Sequence, residues 1–326
     1  MLLLNRREVE GLLDLDRLID ALGPAMADLS AGRVSMPQRI VTLAQRGLLA
    51  AMPVYMDSKQ ALAAKLVTVF PENEPLHLPS HQAVILVFDT RTGSLRAMMD
   101  GTWITALRTA AGSALSARLL ARKDAHVLLI VGTGVQARSH ARAMTRVRPV
   151  REVRVLGRSP QKAEQLAAEI FVEQGIRTIA CSEPEPAFDG ADIVCATTHA
   201  TEPVVKGAWL RPGMHVTSVG LNPDGCEVDA DAVVKSLVVV ETREAALASD
   251  PDGANDLNWP IRDGLIGKDH IHAEIGELVS GAKTGRTSAD QITLYKSVGV
   301  AVQDAVAAHL VLEAAEKQGA GRVVEI

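Results

Sequence analysis

The chain has 326 residues, 47% hydrophobic and 22% charged, which is room for two domains and a sizeable buried core. A formal net charge of −5 provides no basic footprint, so nucleic-acid binding and adhesion to an anionic membrane are both excluded as expectations. The opening MLLLNRREVE is too short an apolar run for a signal peptide or a membrane span, and Cys181, Cys195 and Cys226 form neither a C-x-x-C pair nor a disulfide framework, so a cytoplasmic protein with reduced thiols is expected.

From Arg7 to Gly32, Val9, Leu12, Leu13, Leu18, Ile19, Leu22 and Met26 recur at helical spacing, and helices broken near Gly23 and Pro24 are expected. From Met36 the pattern shortens to β-like runs, QRIVTL, GLLAAMPVY, ALAAKLVTVF and QAVILVFD, then a turn at Thr90 to Gly93 and SLRAMMD, which reads as an antiparallel sheet with hairpins. Asp100, Gly101 and Thr102 can cap a long helix, WITALRTAAGSALSARLLA, that joins two domains. From Ala125 strands and helices alternate through HVLLIV, EVRVLG, TIAC, ADIVCAT, HVTSVG and SLVVVE, the pattern of a doubly wound parallel sheet. The fold class is therefore α/β, a Rossmann domain over residues 121–289 beside an α+β domain built from 1–120 and 290–326. Asp252, Gly253 and Asn258 to Pro260 read as loop, and after Ala289 the pattern is helical with no further strand.

The strongest local signal is HVLLIVGTGVQA. An apolar run stops at Gly132, Thr133, Gly134, Val135, Gln136 and Ala137, a G-x-G-x-x-A turn that leads into a helix. The first glycine permits the tight turn, the second lets the backbone approach a pyrophosphate, the small Ala137 lets the helix pack closely on the strand, and the helix N-terminus attracts the phosphates. The next strand ends at Gly157, Arg158 and Ser159. An arginine there accommodates the extra phosphate of NADP where an acidic residue would bind the ribose of NAD, so the cofactor expected is NADP or NAD with a lean to NADP; an exposed loop arginine is the alternative.

Three cations sit where charge is costly. In a strand Lys65 shares a face with Ala63, Val67 and Val69, so it is functional, an edge-strand lysine placed against aggregation, or one that snorkels. Arg108 lies on a helical stripe with Ile104, Ala111 and Leu115 and wants a planar anion, either a substrate carboxylate or a structural partner. Arg39, in QRIVTL, shares a strand face with Val41 and Leu43 and is a weaker second carboxylate clamp. His81 is a further possible cation, with a buried hydrogen-bonded histidine as the other reading. His270, His272 and Glu274 have no supporting cluster, so no metal is expected.

Together these motifs resemble the ornithine cyclodeaminase and mu-crystallin family. The resemblance starts near MPQR and runs through KLVTVFPEN, PSHQAVILVFD, MDGTWITALRTAA, VGTGVQARSH, LGRS, TTHATEPVVKGAWLRPGMHVTSVG, AEIGELVSG and LYKSVGVAVQD. It implies a homodimer contacting through the first domain, with a Rossmann domain closing over the substrate. It also implies that Arg39, Lys65 and Arg108 occupy substrate-carboxylate and acid/base positions, that Thr109 and Ser297 lie near the nicotinamide end, and that Ala196, Thr197 and Thr198 form a cofactor-side loop. One position departs: family cyclodeaminases carry a catalytic aspartate two residues beyond the glycine of TSVG, whereas this chain has Asn222, with Asp224 following. An amide cannot take a proton as a carboxylate can. The activity expected is NAD(P)H-dependent reduction of a small α-imino acid, or amino-acid dehydrogenation. The alternatives are a cyclodeaminase with bound NAD and a crystallin-like binding protein.

Overall fold

The computed structural model describes residues 1–249 and 251–325, Glu74 by its backbone alone. The chain divides into two units, Met1–Arg108 with Val300–Ile326, and Thr109–Gly299.

The first unit opens with β1 (Leu2–Leu4), α1 (Arg6–Leu12) and α2 (Leu15–Ser30). Asn5 caps α1 in a reciprocal box with Glu8, and the Asp14 carboxylate caps α2 by accepting from Arg17 N at 2.8 Å. The helical break therefore falls at Leu13 and Asp14, not near Gly23 and Pro24 as the sequence suggests. Pro24 lies inside α2 and has no N–H to donate to the carbonyl one turn back, but the buried stripe of Leu18, Ile19, Leu22 and Met26 keeps the helix whole. There follow β2 (Val34–Ser35), β3 (Ile40–Ala44), β4 (Gly47–Met56), β5 (Ala61–Val69), β6 (His81–Phe88), β7 (Leu95–Asp100) and α3 (Gly101–Leu120). Strands β4 to β7 form antiparallel neighbours in chain order, β2 and β3 pair with β4, and β1 adds in parallel to β7. Asp100 Oδ1 accepts from Trp103 N at 2.8 Å, the cap that starts α3.

The second unit begins at Thr109, within α3, and carries β8 (Val127–Val131), α4 (Val135–Val147), β9 (Glu152–Leu156), α5 (Pro160–Gln174), β10 (Arg177–Cys181), α6 (Pro184–Phe188), β11 (Ile193–Ala196), β12 (His215–Ser218), α7 (Ala230–Lys235), β13 (Leu237–Val240), α8 (Arg243–Ala246), α9 (Asn255–Arg262), β14 (Ile271–Glu274), α10 (Ile275–Val279) and β15 (Thr293–Lys296). All its strand pairs are parallel, in the order β10-β9-β8-β11-β12-β15-β13-β14. Both faces are buried. Leu128, Ile130, Val153 and Val155 meet Ala137, Ala141 and Met144 of α4, while Leu129, Val131, Val194 and Val216 pack with Phe188, Val205 and Leu257. Each such leucine or valine contributes about 1.5–3 kcal/mol on burial.

Two expectations fail here. Asn258 to Pro260 belong to α9, where Pro260 tolerates the loss of one intrahelical bond in a short helix. And β15 is a strand inserted between β12 and β13, although the sequence after Ala289 reads as helix alone. Its four residues are all buried, so no period-2 alternation marks it. The chain then returns to the first unit as α11 (Ala301–Gln318), which packs on α2, β4, β5 and β6, and closes with β16 (Arg322–Val323) on β1.

Candidate functional site

In the first unit the register of β5 turns Lys65 inward with Ala61, Ala63 and Val67, so its ammonium is buried. The apolar face is not left with an unpaired charge. Lys65 Nζ lies 2.8 Å from Asp304 Oδ2, and Arg108 Nε donates to Asp304 Oδ1 at 3.0 Å. Arg108 Nη1 also donates to Gln303 Oε1 at 3.0 Å, so two of its three nitrogens are fixed and the plane of the guanidinium is set. α11 supplies Gln303 and Asp304 in its first turn, α3 supplies Arg108, and β5 supplies Lys65.

The cluster holds two cations against one carboxylate. The Lys65 pKa is lowered to about 8: burial lowers it most, Asp304 works to raise it, and the charges of Arg108 and Arg39 add to the lowering. Burial opposes ionisation of Asp304, yet Arg108 and Lys65 outweigh it and hold the carboxyl below its usual range. His81, opposite Val69 in the β5–β6 ladder, is pushed down to about 4 by burial and then by Lys65 and Arg108, so at neutral pH it is an uncharged imidazole and not a third cation. Arg39 is half-buried and lies just ahead of β3. The shared apolar face expected for it does not form, because Leu43 is 77% exposed on this outlying strand; its place in the cluster is electrostatic.

In the second unit the glycine turn has the geometry of an anion cradle. Gly132 has φ +121°, and a Cβ there would lie 2.7 Å from Thr197 Oγ1, so only glycine fits. Thr197 N and Oγ1 both donate to Val131 O at 2.9 Å, seating the loop after β11 on the turn. Gly134 caps α4 with no side-chain bond and with open space where a Cβ would stand, which leaves the first turn of α4, with Val135 and Gln136, to face a phosphate. The end of β9 lies against the same turn: a Cβ on Gly157 would meet Thr133 Cγ2 at 2.5 Å. Arg158 there is exposed, and Ser159 caps α5 by accepting from Lys162 N at 3.3 Å. These residues fit a dinucleotide.

Thr109 is buried on α3, one residue after Arg108. Ser297, just past β15, donates its hydroxyl to Glu241 Oε1 at 2.9 Å, while Glu241 Oε2 accepts from Val298 N and Gly299 N. Asn222 is built into its loop: Nδ2 donates to Ala200 O at 3.1 Å and Oδ1 accepts from Asp224 N at 3.0 Å. An aspartate has no donor for the first of these bonds. Asp224 itself is exposed. His270 and His272 spend Nε2 on Val233 O and Thr284 O, and among the described residues no group of three His, Cys, Asp or Glu could hold a metal ion. No helix is long and apolar enough to cross a membrane among the described residues.

Sequence reasoning missed Gln303, Asp304, Glu227, Glu241, Asp256 and Lys296. The available signal was Gln303 and Asp304 within the otherwise apolar VGVAVQDAVAAH, polar residues on a helix that is buried nearly all round.

The chain is 41% identical over 302 residues to the ketimine reductase mu-crystallin of Mus musculus, covering 91% of each protein. Among solved structures it is similar to Thermococcus litoralis Δ1-pyrroline-2-carboxylate reductase in complex with NADH and L-proline, at 39% identity, with 99% of this chain and 100% of that one covered and a TM-score of 0.96. It is also similar to an archaeal alanine dehydrogenase dimer with bound NAD, at 31% identity, with 100% and 99% covered and a TM-score of 0.93. The model of the ornithine cyclodeaminase/mu-crystallin family matches residues 1–319, and the chain belongs to that family.

Proposed function

We propose that this protein is an NAD(P)H-dependent reductase of a small α-imino acid, with a cyclic imine of the Δ1-pyrroline-2-carboxylate class as the first substrate to test. The observation that carries this reading is the buried Lys65–Asp304–Arg108 cluster, whose one carboxylate leaves a positive charge to meet a substrate carboxylate. Arg108, held in plane by Asp304 and Gln303, and Arg39 bind that carboxylate and so orient the C=N bond. A dinucleotide, when bound by Gly132, Thr133, Gly134, Val135, Gln136 and Thr197, supplies the hydride. Lys65 Nζ, with a pKa near 8, carries its proton at neutral pH and delivers it to the imine nitrogen, which completes addition of H⁻ and H⁺ to give the amino acid.

Of the two dinucleotides we propose NADPH, on the position of Arg158 beside the glycine turn. Thr109 and Ser297 serve the nicotinamide end, Ser297 held by Glu241. The unit of Met1–Arg108 with Val300–Ile326 serves substrate binding and dimerisation, and Thr109–Gly299, which includes β15, serves the cofactor. A cytoplasmic homodimer is the proposed state; the exposed Ile40, Leu43 and Leu49 of β3 and β4 supply an apolar contact face for it, as one relative is described as a dimer.

The test is consumption of NADPH or NADH by the purified protein with Δ1-pyrroline-2-carboxylate, run beside L-ornithine with NAD. Cofactor oxidation on the imine with no ammonia from ornithine is expected. Ammonia release without net cofactor turnover would transfer the assignment to cyclodeamination, and tight dinucleotide binding with no turnover on any imine would transfer it to a binding role.

A further inference from the structure

The second unit buries a charged network that no step above uses. Glu227 is 2% exposed, Lys296 1% and Asp256 3%. Glu227 lies after the loop that follows β12, yet its carboxylate reaches two separate loops. Oε1 accepts from Thr198 N at 2.5 Å and Thr198 Oγ1 at 2.7 Å, on the loop after β11. Oε2 accepts from Ser218 Oγ at 2.8 Å and Gly220 N at 2.7 Å, at the end of β12. Four donors thus converge on one carboxylate, and two are backbone N–H groups of the loops it joins. Lys296, from β15 between β12 and β13, closes the set: Nζ donates to Ser218 Oγ at 2.9 Å and Gly220 O at 2.6 Å and lies 2.8 Å from Asp256 Oδ2. Asp256 Oδ1 in turn accepts from Glu227 N at 3.0 Å and Val228 N at 2.9 Å, fixing the segment that carries the clamp.

The loop after β11 also stands at the glycine turn. Thr197 is bonded twice to Val131 O and fills the space a Cβ on Gly132 would need, and Thr198 is the next residue. The carboxylate that holds Thr198 therefore also determines where Thr197 meets the turn.

We propose that Glu227, with Lys296 and Asp256 as its support, is a positioning residue for the dinucleotide. It clamps the loops Thr197–Ala200 and Val219–Asn222 to each other, so that the backbone around Gly132 is already in its binding shape before the cofactor arrives. Preorganisation of this kind shows as affinity, because a loose loop must be ordered at the moment of binding. The inference rests on the reading of Gly132 to Ala137 as a dinucleotide cradle.

Glu227→Gln keeps the shape but sets an amide N–H₂ against one pair of donors. Fluorescence titration of the whole protein with NADPH and with NADH should show a Kd at least about tenfold weaker, the effect of one charged hydrogen-bond partner, while the KM for the imine at saturating cofactor stays within about twofold. Glu227→Asp should recover part of the affinity. Thr198→Val removes the hydroxyl that donates to Glu227 and accepts from Ala200 N, without stranding a buried charge, and gives a second route if Glu227→Gln folds poorly; a Kd about threefold weaker is expected, a fraction of that effect. A role in stability alone would lower the Tm of these variants and leave the Kd of the folded protein at the wild-type value, and that result overturns the proposal. Failure of the wild type to bind either dinucleotide would instead overturn the cradle reading itself.

Discussion

Each of the two units buries a three-residue charged cluster, and the two are mirror images in charge. In the first, Lys65 and Arg108 share the single carboxylate of Asp304. In the second, Glu227 and Asp256 flank the single ammonium of Lys296. The difference lies in how the odd charge is met. Glu227 is saturated by four protein donors, two of them backbone N–H, so its surplus negative charge is absorbed by the fold. The surplus positive charge of the Lys65 cluster is met by no such set of donors: burial first, and then the like charges of Arg108 and Arg39, bring the ammonium down to a pKa of about 8. A buried charge met by fixed dipoles stiffens a structure; one left facing like charges is suited to an anionic ligand.

The largest expected effect comes from emptying the centre of the first cluster. Asp304→Asn leaves two buried cations without their carboxylate, a loss of about 3–5 kcal/mol for one partner of a buried pair. Urea unfolding should show it as a lower midpoint at unchanged slope. A midpoint close to wild type would mean that the cations are already compensated and the contrast between the clusters is false.

Arg158→Ala sharpens the assignment of the second unit. Loss of a charge-assisted contact to the extra phosphate should weaken NADPH by about tenfold and leave NADH nearly unchanged. Equal effects on both would remove the preference for NADP.

A smaller and graded effect is expected from pH. The Lys65 pKa is depressed, so the ammonium proposed as the proton donor is present below about 8 and is lost as pH rises through that value. The rate of imine reduction at saturating substrate should therefore be level from pH 6 to about 7 and fall above about 8, approaching tenfold per unit. A rate that rises across the same window would show that Lys65 acts in its neutral form.

Much of this is legible in the sequence itself. The glycine turn could be read because its backbone requirement is local, and the φ of +121° at Gly132 is what such a turn needs. Lys65 and Arg108 could be read because each breaks an apolar period of its own strand or helix. Their partner could not: Asp304 lies 196 residues from Arg108, and no local pattern records a pairing at that separation. The same holds for Glu227, whose function is set by loops brought to it by strand order. β15 was hidden for a different reason, since a short strand buried on both faces has no alternation and its Lys296 looks like one position on a helical surface.

In the proposed function the cationic cluster carries the chemistry and the second unit carries the cofactor. Lys65→Met tests it most directly, with dinucleotide Kd and imine-dependent cofactor oxidation measured on the same preparation. A Kd within about twofold of wild type is expected, as for a site that keeps its contacts, together with a kcat at least about a hundredfold lower, the scale of a lost proton donor. A folded Lys65→Met protein that turns over the imine at the wild-type rate would contradict it.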